Sequence, residues 1–301
     1  MRIVTRPDFD GIVCAVLLLE AENSTMDIVW MEPNEVQSGK APVCKGDIMA
    51  NLPWHPNAGL WFDHHVSNKP ETQVAGAFDI APSAAGVIYT YYKNRNKLSS
   101  RFDDLVKNTD MIDSADLTKD QVQFPENYPH VILSMTIQNR GFQDIPYWNR
   151  LVDMLKTMDI DAILADPEVA GRCQAVITEN KAFGQYLTDY TTLKGKISVT
   201  DFRPLDKVPQ GNRFLTYSLF PHTIASVKIR YAGPEKTHVL LSVGRSIFNP
   251  HCRVNIGKML SEFGGGGHAG AGGCTLEAKG AQDTIKIILA RMEANEEDPP
   301  G

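Results

Sequence analysis

In the stretch TRPDFDG, residues 5 to 11, two carboxylates one residue apart, Asp8 and Asp10, follow the first apolar run, and the permanently charged Arg6 precedes them. Further along, Asp47 opens DIMANL, Asp63-His64-His65 closes LWFDHH, and Asp113 lies in DLVKNTDMIDSAD with Asp110 and Asp116 as neighbours. Hard divalent cations prefer carboxylate oxygen, and an imidazole in the set shifts the preference toward a transition metal such as Mn²⁺. Together these residues form a candidate metal centre. Each also has a plainer reading: DxD is commonly a turn or a helix cap, and DHH can be the polar end of a strand.

A second cue lies far downstream. FGGGGHAGAGG, residues 263 to 273, holds seven glycines around His268, a density that exposes backbone N–H groups and permits positive φ. Such a loop can cradle a phosphate or carboxylate, or serve as a flexible hinge. Arg245, Arg253 and Asn255, just upstream, are candidate anion contacts.

The elements that must position these groups follow from the apolar pattern. RIVTR, DIVWMEP (27 to 33), GDIMANL (46 to 52) and LWFDHH (60 to 65) read as buried strands, and GIVCAVLLLEAE (11 to 22) as a helix. SAAGVIYTYYKNR reads as an amphipathic helix capped by Ser83, and residues 103 to 116 as another helix. Strands separated by helices predict a parallel α/β sheet, which binds ligands outside the carboxyl ends of its strands. The largely polar stretch from 166 to 193 predicts a helical linker. ISVTDF, FLTYSLF, ASVKIRYA and HVLLSVGRS then read as β-rich segments, followed by the glycine cluster, a last helix (AQDTIKIILARMEAN) and a disordered tail, EEDPPG. The expected layout is a parallel-sheet domain over 1–165, a helical linker over 166–193, and a smaller mixed α+β domain over 194–301.

Composition narrows the function classes. The 301 residues are 43% hydrophobic and 22% charged, ordinary proportions for a globular chain. No apolar run approaches the roughly 20 residues needed to cross a bilayer, and no secretory signal is evident, so a cytoplasmic protein without a membrane partner is expected. The net charge of −6 speaks against a duplex-DNA surface, which draws its affinity from lysine and arginine. Five scattered cysteines without a CxxC exclude a fully paired disulfide framework, argue against a cysteine-ligated zinc site and predict buried reduced thiols.

In the order DFDG, an isolated aspartate, DHH, a further aspartate, GRS and GGGGHAGAGG, the chain resembles the DHH phosphoesterase superfamily, in the subgroup with the DHH-associated C-terminal domain. The resemblance covers nearly the whole chain. It implies a two-domain fold with the active site in the cleft between the domains, and a phosphoesterase that uses one or two Mn²⁺ ions, with Mg²⁺ an alternative. By motif position it implies Asp8 as a ligand of one metal, Asp10, His64 and Asp113 as ligands of the other, and Asp47 as their bridge. His65 would face the substrate phosphate and Asp63 would orient the histidines. Arg245 and His268, with the backbone of Gly265, Gly266 and Gly267, would hold the substrate.

The chain departs from the family pattern at Val4, where many members carry a histidine ligand to the first metal. Valine has no donor atom and Arg6 cannot coordinate a cation. Three outcomes follow: Arg6 acts in place of the missing cation in a one-metal enzyme, the first metal binds weakly, or the protein is a catalytically impaired binding module. The expected substrates are short oligoribonucleotides, dinucleotides or nucleoside phosphates. An exopolyphosphatase-related hydrolase is the alternative, although a long polyanion would want more basic residues. If the chain self-associates, a homodimer is the expected form, being the commonest.

Overall fold

The computed structural model describes residues 1–39, 41–137 and 141–296. The chain divides into two compact units, one formed by Met1–Leu117 and Pro125–Ala175, the other by Thr118–Phe124 and Val176–Gly301.

In the first unit the elements run β1 (Ile3–Thr5), α1 (Phe9–Ala21), β2 (Ile28–Trp30), α2 (Pro33–Gln37), β3 (Asp47–Ala50), β4 (Ala58–Asp63), β5 (Gly76–Phe78), α3 (Ala84–Lys93) and α4 (Asp103–Asp113). α5 (Lys119–Gln123) belongs to the second unit, and α6 (Pro129–Met135), α7 (Ile145–Thr157) and α8 (Ile160–Leu164) return to the first. The five strands form a wholly parallel sheet in the order β2-β1-β3-β4-β5. This order reverses direction between β1 and β3, so the crevice outside their carboxyl ends is where such a sheet binds its ligand.

α1 is buried almost all round, as its sequence FDGIVCAVLLLEA requires, and packs against α3, α4 and α7. The opposite sheet face has its own apolar cluster of Val4, Met31, Val36, Val43, Met49, Leu52 and Trp61. Val4 is therefore a mid-strand core residue, paired in the ladder with Val29 and Met49, and does not stand at the sheet's carboxyl rim.

α9 (Pro167–Tyr190) is a continuous helix of 24 residues that contributes its first turns to one unit and the rest to the other. The second unit continues with β6 (Thr191–Lys194), β7 (Ile197–Asp201), α10 (Leu215–Leu219), β8 (Ala225–Tyr231), β9 (His238–Arg245), α11 (Ile256–Ser261), β10 (Gly266–His268), β11 (Ala271–Glu277) and α12 (Ala281–Ala294). Its mixed sheet has the order β10-β11-β9-β8-β7-β6, with β7 and β8 parallel and the other pairs antiparallel. α11 and α12 cover one face, where Ile256, Leu260, Ile285 and Ile288 meet Val227, Ile229, Leu241 and Val243.

Three expectations need correction. FLTYSLF forms the short helix α10, because a brief apolar run rich in aromatic residues suits a buried helix as well as a strand. The glycine cluster is mostly a β-hairpin, β10 against β11, whose glycines let backbones meet. A Cβ on Gly272 would lie 2.4 Å from the Gly266 carbonyl oxygen, and one on Gly257 2.5 Å from that of Gly267. The cysteines are unpaired, but Cys44 is exposed and Cys173 only partly buried. The tail from residue 297 lies outside the described residues. Among the described residues no helix is long and apolar enough to cross a membrane.

Candidate metal centre

The carboxyl rim of the parallel sheet gathers most of the expected acidic and histidine residues. Asp8 follows β1 and caps α1: its Oδ1 accepts from the Gly11 N–H at 2.8 Å. Gly11 is required here, since a Cβ would lie 1.9 Å from the Arg6 carbonyl oxygen. The helix-cap reading of DxD thus holds for Asp8, whose Oδ2 lies 3.3 Å from Arg6 Nε. Arg6 also approaches Glu32 at 3.8 Å.

Asp10, two residues on in the first turn of α1, is buried. Its two oxygens accept the Ala84 and Ala85 N–H groups at 2.9 and 2.8 Å, the free amides at the start of α3. Ser83 caps that helix through the Gly86 N–H and donates to Asp110 at 2.5 Å. Asp110 therefore fixes the helix end that holds Asp10. Burial pushes the Asp10 carboxyl well above its ordinary range, and the negative charges of Asp113 and Asp8 add to it. Asp8 is raised by burial, against the pull of Arg6.

His64 completes the group. Its Nδ1 lies 2.9 Å from the Ala81 carbonyl oxygen, which can only accept, so Nδ1 carries the proton. Nε2 therefore presents a lone pair, 3.3 Å from Asp113 Oδ2 and 3.9 Å from Asp10 Oδ2. That Nε2 is buried and has no hydrogen-bond partner among the described residues. One ligand atom from each of Asp10, His64 and Asp113 lies within 4.8 Å of the others. An orphaned imidazole nitrogen between two carboxylates, one of which raises the proton affinity of Asp10, fits a divalent cation, with the carbonyl-bound Nδ1 fixing the ring.

Asp63 and His65 play a supporting part. Asp63, buried at the end of β4, accepts from the His64 and His65 N–H groups, from His65 Nδ1 at 2.8 Å and from Asn68 Nδ2 at 2.7 Å. Its capacity is used in shaping the DHH turn. The Asp63 hydrogen bond raises the His65 pKa, against burial, and the half-exposed ring keeps Nε2 for another partner.

Asp47 does not join this group. It opens β3, at the opposite rim of the sheet, where it is gripped by Arg2 (Nη2 to Oδ2, 2.6 Å), the Arg2 N–H (3.1 Å) and the Cys44 N–H (2.9 Å). Burial would push its pKa up, but these donors outweigh it and hold it below the ordinary value. The expected bridging role fails because a strand's first residue cannot reach its carboxyl rim. Asn51 stands there instead. It follows β3 in the left-handed region (φ 56°), which Asn tolerates better than most residues. Its Nδ2 donates to Asp8 Oδ1 at 2.9 Å, while its Oδ1 is buried without a partner among the described residues. The signal was available: in DIMAN the residue leaving the strand is Asn51, and ligands gather where parallel strands end.

In the second unit Arg245 ends β9 and ties it to the segment before α11, donating from Nε and Nη2 to the Val254 carbonyl at 3.2 and 2.7 Å. Asn255 caps α11. His268 is exposed at the hairpin end, its Nδ1 accepting from the Gly270 N–H at 3.1 Å. Gly265 and Gly267 are hemmed in by β11 backbone, whereas Gly266 opens onto free space.

Comparison with known proteins sharpens this picture. No protein-family model and no curated protein matches the chain. Among solved structures it is similar to PggH, a pGpG-specific phosphodiesterase from Vibrio cholerae, with 30% identity and a TM-score of 0.86 over 98% of this chain and 99% of that one. The chain belongs to the DHH phosphoesterase family. The same fold recurs in RecJ from Thermus thermophilus in complex with Mn²⁺, at 15% identity, TM-score 0.57, and 97% and 51% coverage. It recurs also in an exopolyphosphatase-related protein from Bacteroides fragilis, at 10% identity, TM-score 0.54, and 98% and 94% coverage. As a DHH phosphoesterase the protein is a metal-dependent hydrolase, and Asp10, His64 and Asp113 suit a cation. Asp8, by contrast, is shared among the Gly11 N–H, the Asn51 side-chain amide and Arg6.

Proposed function

We propose that the protein is a one-cation phosphodiesterase that cleaves short linear dinucleotides of the pGpG type. The observation that carries the reading is the orphaned His64 Nε2 between Asp10 and Asp113, and the likeness to a pGpG-specific phosphodiesterase over nearly the full chain supports the substrate class. Mn²⁺ is the favoured ion, because an imidazole among carboxylates suits it better than Mg²⁺. When bound, it lowers the pKa of a water molecule and polarises the phosphoryl group.

The chain's own residues do the rest. Asp10 is held in place by the α3 amides and His64 by the Ala81 carbonyl, so both meet a cation without rearrangement. His65, kept basic by Asp63, donates from Nε2 to a phosphate oxygen. Arg6 supplies a fixed positive charge beside Asp8, where a second cation would otherwise sit. Arg245, His268 and the backbone of Gly265, Gly266 and Gly267 are the proposed contacts to the rest of the substrate.

The test is hydrolysis by the full chain with Mn²⁺ on pGpG, cyclic dinucleotides, longer oligoribonucleotides and polyphosphate. Preferential turnover of the linear dinucleotide is expected. Preference for polyphosphate would overturn the substrate, and no turnover of any of them would overturn the activity.

A further inference from the structure

The second unit carries a cationic surface that neither the metal centre nor the glycine hairpin uses. Along β8, Val227 and Ile229 enter the core with α11 and α12, so Ser226, Lys228 and Arg230 share the opposite face. Lys228 is partly buried, its ammonium 5.4 Å from the centre of the Phe183 ring, and among the described residues it makes no hydrogen bond or ion pair. Arg230, two residues on, has no acid partner among them either. Burial lowers the Lys228 pKa, and the positive charge of Arg230 lowers it further.

Neutral donors complete the face. In the ladder Lys228 lies opposite Ser242, which is exposed, and Ser226 opposite Gly244. The missing side chain at Gly244 makes room for the Tyr217 hydroxyl, which a Cβ there would meet at 2.5 Å. That hydroxyl accepts from Ser226 Oγ at 3.0 Å, which leaves its own proton to donate. Two acids of the sheet lie elsewhere. Asp201 pairs with Ile229 in the ladder, on the core side, and is held by Arg203; Glu277, on this face, is two strands from β8.

A partly buried ammonium beside a guanidinium, with no acid partner for either among the described residues, is less favourable than a paired one. An oxyanion that accepts from both removes the repulsion and gains charge-assisted hydrogen bonds. We propose that this face of β8 and β9, built on Lys228, Arg230, Ser242 and the Tyr217 hydroxyl, is a binding site for a phosphate group. The site does not depend on the metal centre. Its source is either a free phosphate-bearing molecule or a phosphate of the substrate.

The test is calorimetric titration of the full, metal-free chain with inorganic phosphate and pyrophosphate. Saturable binding is expected, weakened about tenfold or more in Lys228→Met and in Arg230→Gln, retained in Lys228→Arg, and unchanged in His64→Ala. Circular dichroism and Tm establish that the variants fold. Removing the ammonium also removes its burial cost, so Lys228→Met should be no less stable than wild type. If Lys228→Met also raises KM for the dinucleotide, the substrate supplies the phosphate; if KM is unchanged while phosphate binding is lost, a free molecule does. No saturable binding, or equal binding by wild type and both charge-removing variants, would overturn the site.

Discussion

The two ends of β3 carry polar side chains buried to the same degree, Asp47 and Asn51, each 1% exposed. Asp47 is satisfied on every side, by Arg2 and two backbone N–H groups, and it ties the start of the strand to the first residues of the chain. Asn51 has one atom bonded, to Asp8, and one oxygen left without a partner. A buried polar group whose hydrogen bonds are complete is accounted for by the fold. One that is left incomplete points to something the fold alone does not contain. His64 Nε2 is of the second kind, and it too lies on the carboxyl rim.

The largest effect is expected at His64. His64→Ala removes the orphaned nitrogen and should lower Mn²⁺ affinity and hydrolysis by on the order of 100-fold or more, beyond the ordinary range for an outer partner, with little change in Tm. Wild-type metal affinity in this variant would detach the orphaned atom from function. Asp63→Asn, which acts through the orientation of both histidines, should reduce Mn²⁺ affinity or turnover by roughly 10–100-fold. Calorimetry and steady-state rates separate the two effects.

Asp47→Asn should behave in the opposite way, losing about 1–3 kcal/mol of stability while activity per folded molecule stays unchanged. The sign of its pH dependence follows from its depressed pKa. The stabilisation is complete above the ordinary carboxyl value of 3.8 and is lost as pH falls through the lower folded value. Urea denaturation curves of wild type and Asp47→Asn should therefore converge below that value. The smallest effect is expected at Gly266, where a Cβ meets nothing. Gly266→Ala should shift stability by less than about 0.5 kcal/mol and raise KM if the substrate approaches there. Gly267→Ala, with φ at +144° and a Cβ 2.2 Å from the Ala271 carbonyl oxygen, should cost more than about 1 kcal/mol.

Much of this was legible in the sequence. The parallel sheet followed from buried strands separated by helices, and Ser83 was readable as the cap of α3 because a serine precedes an apolar helical run. DHH carried the family because its two histidines and aspartate serve three distinct purposes at one strand end. Asp47 misled because an aspartate before an apolar run looks alike at either rim of a sheet. Only strand direction assigns the rim, and that points to Asn51. The Asp110 contact to Ser83 joins residues 27 apart, a pairing no local pattern encodes. FLTYSLF was ambiguous because seven residues are too few for periodicity to choose between helix and strand.

In the proposed one-cation site Asp10, His64 and Asp113 hold the ion, and Asn51 stands where a carboxylate could admit a second. Counting Mn²⁺ per chain by calorimetric titration of wild type, Asp47→Asn and Asn51→Asp tests it directly. One tight ion is expected in wild type and in Asp47→Asn, and two in Asn51→Asp. Two tight ions in wild type, or loss of the ion in Asp47→Asn, would contradict it.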